Sequence, residues 1–150
     1  MSTDKISQQP RRILAFDFGT KRIGVAIGQE VTGTATPLAA LSAKDGIPDW
    51  QLLTSLIKQW QPDAFVVGIP LNMDDSSSEM AVRARKFCHR LHGRYHKPSY
   101  GMDERLSTFA AKSELASEAA ATNNITSVDS LAAKLILESW FQQQTIVKES

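Results

Sequence analysis

The sequence predicts an α/β domain in which a mixed five-stranded sheet is covered by helices on both faces. Three observations lead there. The N-terminal part reads as three short strands in a meander, the remainder alternates strands with helices, and one central run is apolar at nearly every position, as a strand covered on both faces must be.

Residues 13–18 (Ile-Leu-Ala-Phe-Asp-Phe) are β-prone, Gly19-Thr20-Lys21-Arg22 breaks the run, and Ile23-Gly24-Val25-Ala26-Ile27-Gly28 resumes it, which makes a hairpin. The Thr-rich stretch 31–37 supplies a third strand. Residues 49–60 place Trp50, Leu53, Leu56, Ile57 and Trp60 at helical spacing between Pro48 and Pro62, so this segment is an amphipathic helix with its tryptophans in packing roles. The apolar run 64–69 is the covered strand. A polar loop follows at 72–78, then a helix over 79–94 whose stripe is Met80, Ala84, Phe87, Cys88 and Leu91, with Gly93 and Pro98 as its stop. Residues 100–104 form a strand interrupted by Gly101. The Ala-rich segment 107–118 is helical, 119–126 is a loop, and Ser127 caps a last helix running to about Gln143. One domain over 11–144 with short tails at 1–10 and 145–150 accounts for the 150 residues.

The hydrophobic share of 42% and charged share of 22% are those of an ordinary globular chain, which excludes fibrous and disordered classes. Cys88 is the single cysteine, so no internal disulfide and no CxxC zinc pair can form. Neither a leader-like N-terminus nor a run approaching the ~18 apolar residues of a membrane span is present, and the expectation is a soluble cytoplasmic protein in a reducing compartment. Net charge is only +1, but its distribution is uneven: no acid stands between Glu79 and Asp103, where Arg83, Arg85, Lys86, Arg90, Arg94 and Lys97 are joined by all three histidines, His89, His92 and His96.

Three acidic positions stand out. Asp17 ends an apolar strand beside a glycine turn, where a phosphate can approach backbone; an Asp that merely orders the turn is the plainer alternative. Asp103 and Glu104 are adjacent on a strand, so only one of them can face a shared site, and an acid pair before a helix also serves the helix dipole. Asp129 shares a helix face with Ala132, Ala133 and Ile136, small enough at the start to let that face approach a sheet; it too is a first-turn acid. Brought together, such carboxylates repel unless protonated or neutralised by cations, and oxygen ligands select Mg²⁺ or Mn²⁺, which activate water for phosphoryl displacement.

The segments 14–28, 67–73, 103–108 and 128–133, taken together and in this order, closely resemble the YqgF/RuvX family, known as pre-16S rRNA nucleases and earlier as Holliday junction resolvases. The resemblance covers roughly residues 12–142. It implies an RNase H-like three-layer fold and hydrolysis of phosphodiester bonds at the 5′ end of a ribosomal precursor RNA, with branched DNA as the alternative substrate. By position it makes Asp17, Glu104 and Asp129 catalytic residues and metal ligands, with Asp103 as second choice. Asp75 departs from the family's usual glycine, and the loop 119–127 lacks the Lys and Arg common there.

Arg83, Lys86, Arg90, Arg94 and Lys97 fall within an arc of about 80° on a helix, beside the apolar stripe, and form a candidate phosphate track together with Lys21, Arg22 and Arg105; a solvated helix face is the plainer reading. His89 and His92 have a spacing compatible with zinc but no third ligand. Two other functions compete. Asp-Phe-Gly-Thr is similar to the phosphate loop of actin-like ATPases and sugar kinases, which need two such domains, and a non-catalytic nucleic-acid-binding assembly module would keep the fold without the chemistry.

Overall fold

β1 (Arg12–Asp17) and β2 (Arg22–Gln29) pair antiparallel, with Asp17 opposite Gly24 at the turn end. The computed structural model describes residues 10–70, 78–104 and 128–149. β2 pairs with β3 (Thr34–Lys44), and β3 with the two-residue β4 (Ile47–Pro48), both antiparallel. Among the described residues the sheet therefore has six strands rather than five, in the order β4-β3-β2-β1-β5-β6. The extra strand comes from a tight hairpin: Asp45 (φ 51°) and Gly46 (φ 81°) are both left-handed, as a two-residue turn that follows the strand twist requires. For the same reason β3 runs on past Pro37 to Lys44.

α1 (Trp50–Trp60) starts at Asp49, whose carboxylate accepts from the amides of Gln51 (3.0 Å) and Leu52 (3.4 Å). β5 (Ala64–Ile69) lies parallel to β1 and is buried throughout, as its composition demands. α2 (Glu79–Tyr95) is capped by Ser78, whose hydroxyl accepts from the Ala81 amide at 3.0 Å. It passes through Gly93 and stops at His96, which takes the left-handed conformation (φ 58°) before Pro98. A glycine inside a packed helix costs only about 1 kcal/mol, so the stop falls where the backbone must turn toward the proline. β6 (Ser99–Asp103) is parallel to β5 at the edge. α3 (Val128–Glu149) extends beyond Gln143, so residues expected as a C-terminal tail continue the helix.

Strand alternation sorts the core into two layers. Leu14, Phe16, Val25 and Val67 face α1 and α2, meeting Leu53, Ile57, Phe87 and Leu91. Ile13, Ala15, Val66 and Met102 face α3, meeting Ile136, Leu137 and Trp140. Each fully buried Val, Leu, Ile or Phe among them contributes ~1.5–3 kcal/mol to the driving force for folding. Trp50 and Trp60 pack against the first layer, with the Trp50 ring stacked 6.3 Å from that of Phe87. No described helix is long and apolar enough to cross a membrane. The tail at 1–9, the loop at 72–77, Arg105, the helix at 107–118, the loop at 119–126 and Ser127 lie outside the described residues.

Candidate active site

Alternation decides which acids can meet. On β1, Ile13 and Ala15 point to α3, so Asp17 continues that face and Phe18 belongs to the opposite one. On β6, Tyr100 and Met102 pack on the α3 side, which turns Asp103 the other way. There it lines a cavity of about 390 Å³ with Arg85, Cys88 and His89. Glu104, the next residue, returns to the α3 side: a Cβ placed on Gly68 would lie 2.6 Å from its Oε1 and 2.6 Å from Ile136 Cδ1. Glu104 thus shares a face with Asp17, while the sheet separates both from Asp103.

Asp17 stands between two glycines. Gly24 is its antiparallel partner on β2, and the parallel register Phe16↔Val67, carried one residue further, sets Gly68 beside it on β5. The missing side chain of Gly68 leaves the space that the Glu104 carboxylate fills. On the other flank the missing side chain of Gly24 admits the first turn of α3, where a Cβ would run into the Asp129 carbonyl. The fully buried Ser130 fixes that approach, its hydroxyl accepting from the Val25 amide at 3.2 Å. Asp129, Asp17 and Glu104 consequently stand over three consecutive strands, a backbone span of about 10 Å at ~4.8 Å per strand.

All three acids offer hard oxygen donors, the kind that suits a small divalent cation. The Asp129 carboxylate is turned to Arg22, Oδ2 lying 3.3 Å from its Nε. Among the described residues no three His, Cys, Asp or Glu side chains close into a ready-made ligand cluster. The donor chemistry suits a hard divalent cation, and the Arg22 pair marks where a cation already balances part of the charge. Cys88 offers no nucleophile: burial pushes its thiol up from the ordinary range, outweighing the Ser99 hydroxyl 3.0 Å away.

The basic helix face is divided. Arg83 donates to Asp45 (2.7 Å) and pairs with Glu79 (3.6 Å), Arg94 lies 4.1 Å over the Trp50 ring, and Lys97 donates to the Pro62 carbonyl (2.8 Å). Lys86 and Arg90 are exposed and line a groove of about 220 Å³ with Phe18, Asp45, Gly46, Ile47, Arg83 and Phe87. The track therefore narrows to its middle, and it lies on the sheet face opposite the acids. Lys21 is exposed on the β1–β2 turn. His92 donates from Nδ1 to the Lys97 carbonyl at 2.9 Å, which orients its ring at the end of α2.

A family model described as "RuvX: Holliday junction resolvase" matches residues 11–143. The chain belongs to the RuvX family. Relatives from Marinobacter nauticus and Chromohalobacter salexigens are each 56% identical, over 135 and 140 residues, covering 89% and 92% of this chain and 94% of theirs; both are named "Putative pre-16S rRNA nuclease". Among solved structures, Thermus thermophilus RuvC in complex with Holliday junction substrate is similar with a TM-score of 0.57 at 14% identity, covering 89% of this chain and 95% of that one. The yeast mitochondrial Holliday junction resolvase follows at 0.54 and 11%, covering 91% of this chain and 80% of that one. The fold is RNase H-like, and this RuvX-family chain is a nuclease, a hydrolase of phosphodiester bonds.

Proposed function

We propose that the chain is a Mg²⁺- or Mn²⁺-dependent nuclease that trims the 5′ end of precursor 16S rRNA in the cytoplasm, with Asp17, Glu104 and Asp129 as metal ligands. The observation that carries this reading is the row Gly24, Asp17, Gly68, where two absent side chains let Asp129 and Glu104 close in on Asp17 from either flank. A divalent ion bound there would stabilise the charge of an in-line displacement at phosphorus and activate the attacking water. Asp17, fixed by a strand paired on both sides, sets the position of that centre. Glu104 and Asp129 approach it from an edge strand's end and a helix's first turn. With an ion held by Asp129 in its place, Arg22 would be free to meet a substrate phosphate. In the step itself water oxygen bonds to phosphorus and gives up a proton to solvent, the bond to the leaving sugar oxygen breaks, and that oxygen takes up a proton.

The test is cleavage of precursor rRNA, four-way junction DNA and single-stranded controls side by side, with Mg²⁺ or Mn²⁺, using wild type and Asp17→Asn. The proposal expects wild-type protein to shorten the precursor at its 5′ side and the variant to leave it whole. Faster, paired nicking of the junction would assign the enzyme to branched DNA, the reading that the family's description favours. Intact substrates in every lane would leave a binding module without chemistry.

A further inference from the structure

The groove on the opposite sheet face has a construction of its own. One wall is α2, presenting Arg83, Lys86, Phe87 and Arg90; the other is the β3–β4 turn, Asp45 and Gly46, with Ile47 beyond it; Phe18 lies between. The turn is held in place from two sides. The Gly46 amide donates to the Thr20 carbonyl (2.9 Å), and Arg83 donates to Asp45 (2.7 Å), tying the turn to α2. Gly46 closes directly on the Phe18 ring, since a Cβ there would lie 2.7 Å from Phe18 Cζ. The lining has three cations against one carboxylate, and that carboxylate is already neutralised by Arg83. Lys86 and Arg90 are left to the groove mouth beside an apolar surface in which Ile47 is half exposed.

Cations beside a half-buried aromatic edge and a half-exposed aliphatic side chain suit a flat ring joined to phosphates: one unpaired nucleotide. Position supports the same occupant. Phe18 directly follows Asp17, so its Cα stands about 3.8 Å from that of the central acid. A strand whose phosphate lies over Asp17 would reach this groove by crossing the β1–β2 turn. A base-paired residue cannot enter, because its face is covered by its neighbours in the stack.

We propose that the groove between α2 and the β3–β4 turn holds an unpaired nucleotide of the substrate strand next to the cleaved bond, its base against Phe18 and Ile47 and its phosphates on Lys86 and Arg90. The proposal rests on the nuclease reading for its geometry but is tested by binding alone. Fluorescence anisotropy of the full chain, with EDTA present to prevent cleavage, would compare a labelled 12-nucleotide single-stranded RNA, the DNA of the same sequence, an RNA duplex and an acidic peptide. Paired replacement of Lys86 and Arg90 by Ala should flatten the dependence of log affinity on log salt by roughly 1.4, about 0.7 for each lost phosphate contact on a single strand. Phe18→Leu should weaken single strands about fivefold or more while leaving the salt slope unchanged, because it removes stacking and no charge. Ile47→Ser, at a half-exposed site in a two-residue strand, should act in the same direction and guards against a folding defect in the Phe18 variant. Duplex affinity should fall less than single-strand affinity in both apolar variants.

Equal losses for duplex and single strand, an unchanged salt slope in the double variant, or a variant effect confined to the acidic peptide would each overturn the proposal. RNA held more tightly than DNA, or the reverse, supports the same groove and tells which strand it serves. Cleavage by wild type separates this inference from the one before it. If wild type cuts while the groove variants bind normally, the groove assignment alone fails. If the variants lose single-strand binding while wild type cuts nothing, the groove stands and the catalytic reading fails.

Discussion

The two faces of the sheet, compared at the end where β1 stops, differ in the balance of their charges and in their chemistry. Toward α3 stand Asp17, Glu104 and Asp129, placed by backbone over neighbouring strands: two glycines make the room, and the buried Ser130 hydroxyl pins the helix start. Toward α2 stand Phe18, Asp103 and the cations Lys86 and Arg90, arranged around cavities of about 220 and 390 Å³. Neighbouring residues are divided between the faces at both strand ends, Asp17 from Phe18 and Glu104 from Asp103. The difference teaches that a period of two, applied at two parallel strand ends, is enough to send adjacent residues to opposite faces, so that the proposed ligands and the proposed substrate surface need no distance in sequence between them.

That division can be broken in steps of decreasing size. Asp17→Asn should lower the cleavage rate about 10³-fold, roughly 4 kcal/mol of transition-state stabilisation, with the melting temperature nearly unchanged; single-turnover kinetics and thermal melting check both halves. Gly68→Ala pushes on a flexible carboxylate and a methyl tip, so it should fold well yet misplace Glu104 and cost on the order of 10²-fold in rate. Gly24→Ala should do the reverse. Its Cβ meets the Asp129 carbonyl and the Ser130 amide, backbone that cannot swing aside, and about 1–3 kcal/mol of stability should be lost, read as a drop of several degrees in melting temperature. If Gly24→Ala melts like wild type, the close approach of α3 to β2 is not what holds Asp129 in place. The smallest effect belongs to Arg22→Ala: removing the cation on Asp129, an exposed pair worth ~0–1 kcal/mol, should tighten Mn²⁺ binding up to about fivefold, and calorimetry showing weaker binding would contradict the exchange.

Much of this was legible in the sequence where a single local rule governs. β5 follows its apolar run from Ala64 to Ile69, α1 follows its periodic stripe, and Asp17 falls at the end of a strand. Adjacency of Asp103 and Glu104 shows that only one can face the site, but which one depends on Met102 packing under α3, a contact with a distant element. The β3–β4 turn carried a readable signal, since Asp-Gly between strand-like residues favours the two-residue turn it adopts. The helix expected over 79–94 is found at Glu79–Tyr95, with the left-handed cap at His96 rather than at Gly93, because packing of Phe87 and Leu91 holds the helix through the glycine. The basic arc was visible as periodicity. Its partners were not: Asp45, Trp50 and the Pro62 carbonyl come from elements remote in sequence, and they leave Lys86 and Arg90 as its exposed centre.

The central claim, that Asp17, Glu104 and Asp129 form one metal site from which the sheet excludes Asp103, is tested most directly by Mn²⁺ titration followed by electron paramagnetic resonance. Wild type would be compared with Glu104→Gln and Asp103→Asn, neighbouring changes of the same kind. The account predicts that Glu104→Gln weakens Mn²⁺ binding about tenfold or more, while Asp103→Asn binds as wild type does. Weakened binding in Asp103→Asn with full binding in Glu104→Gln would place the metal on the other face and contradict the account.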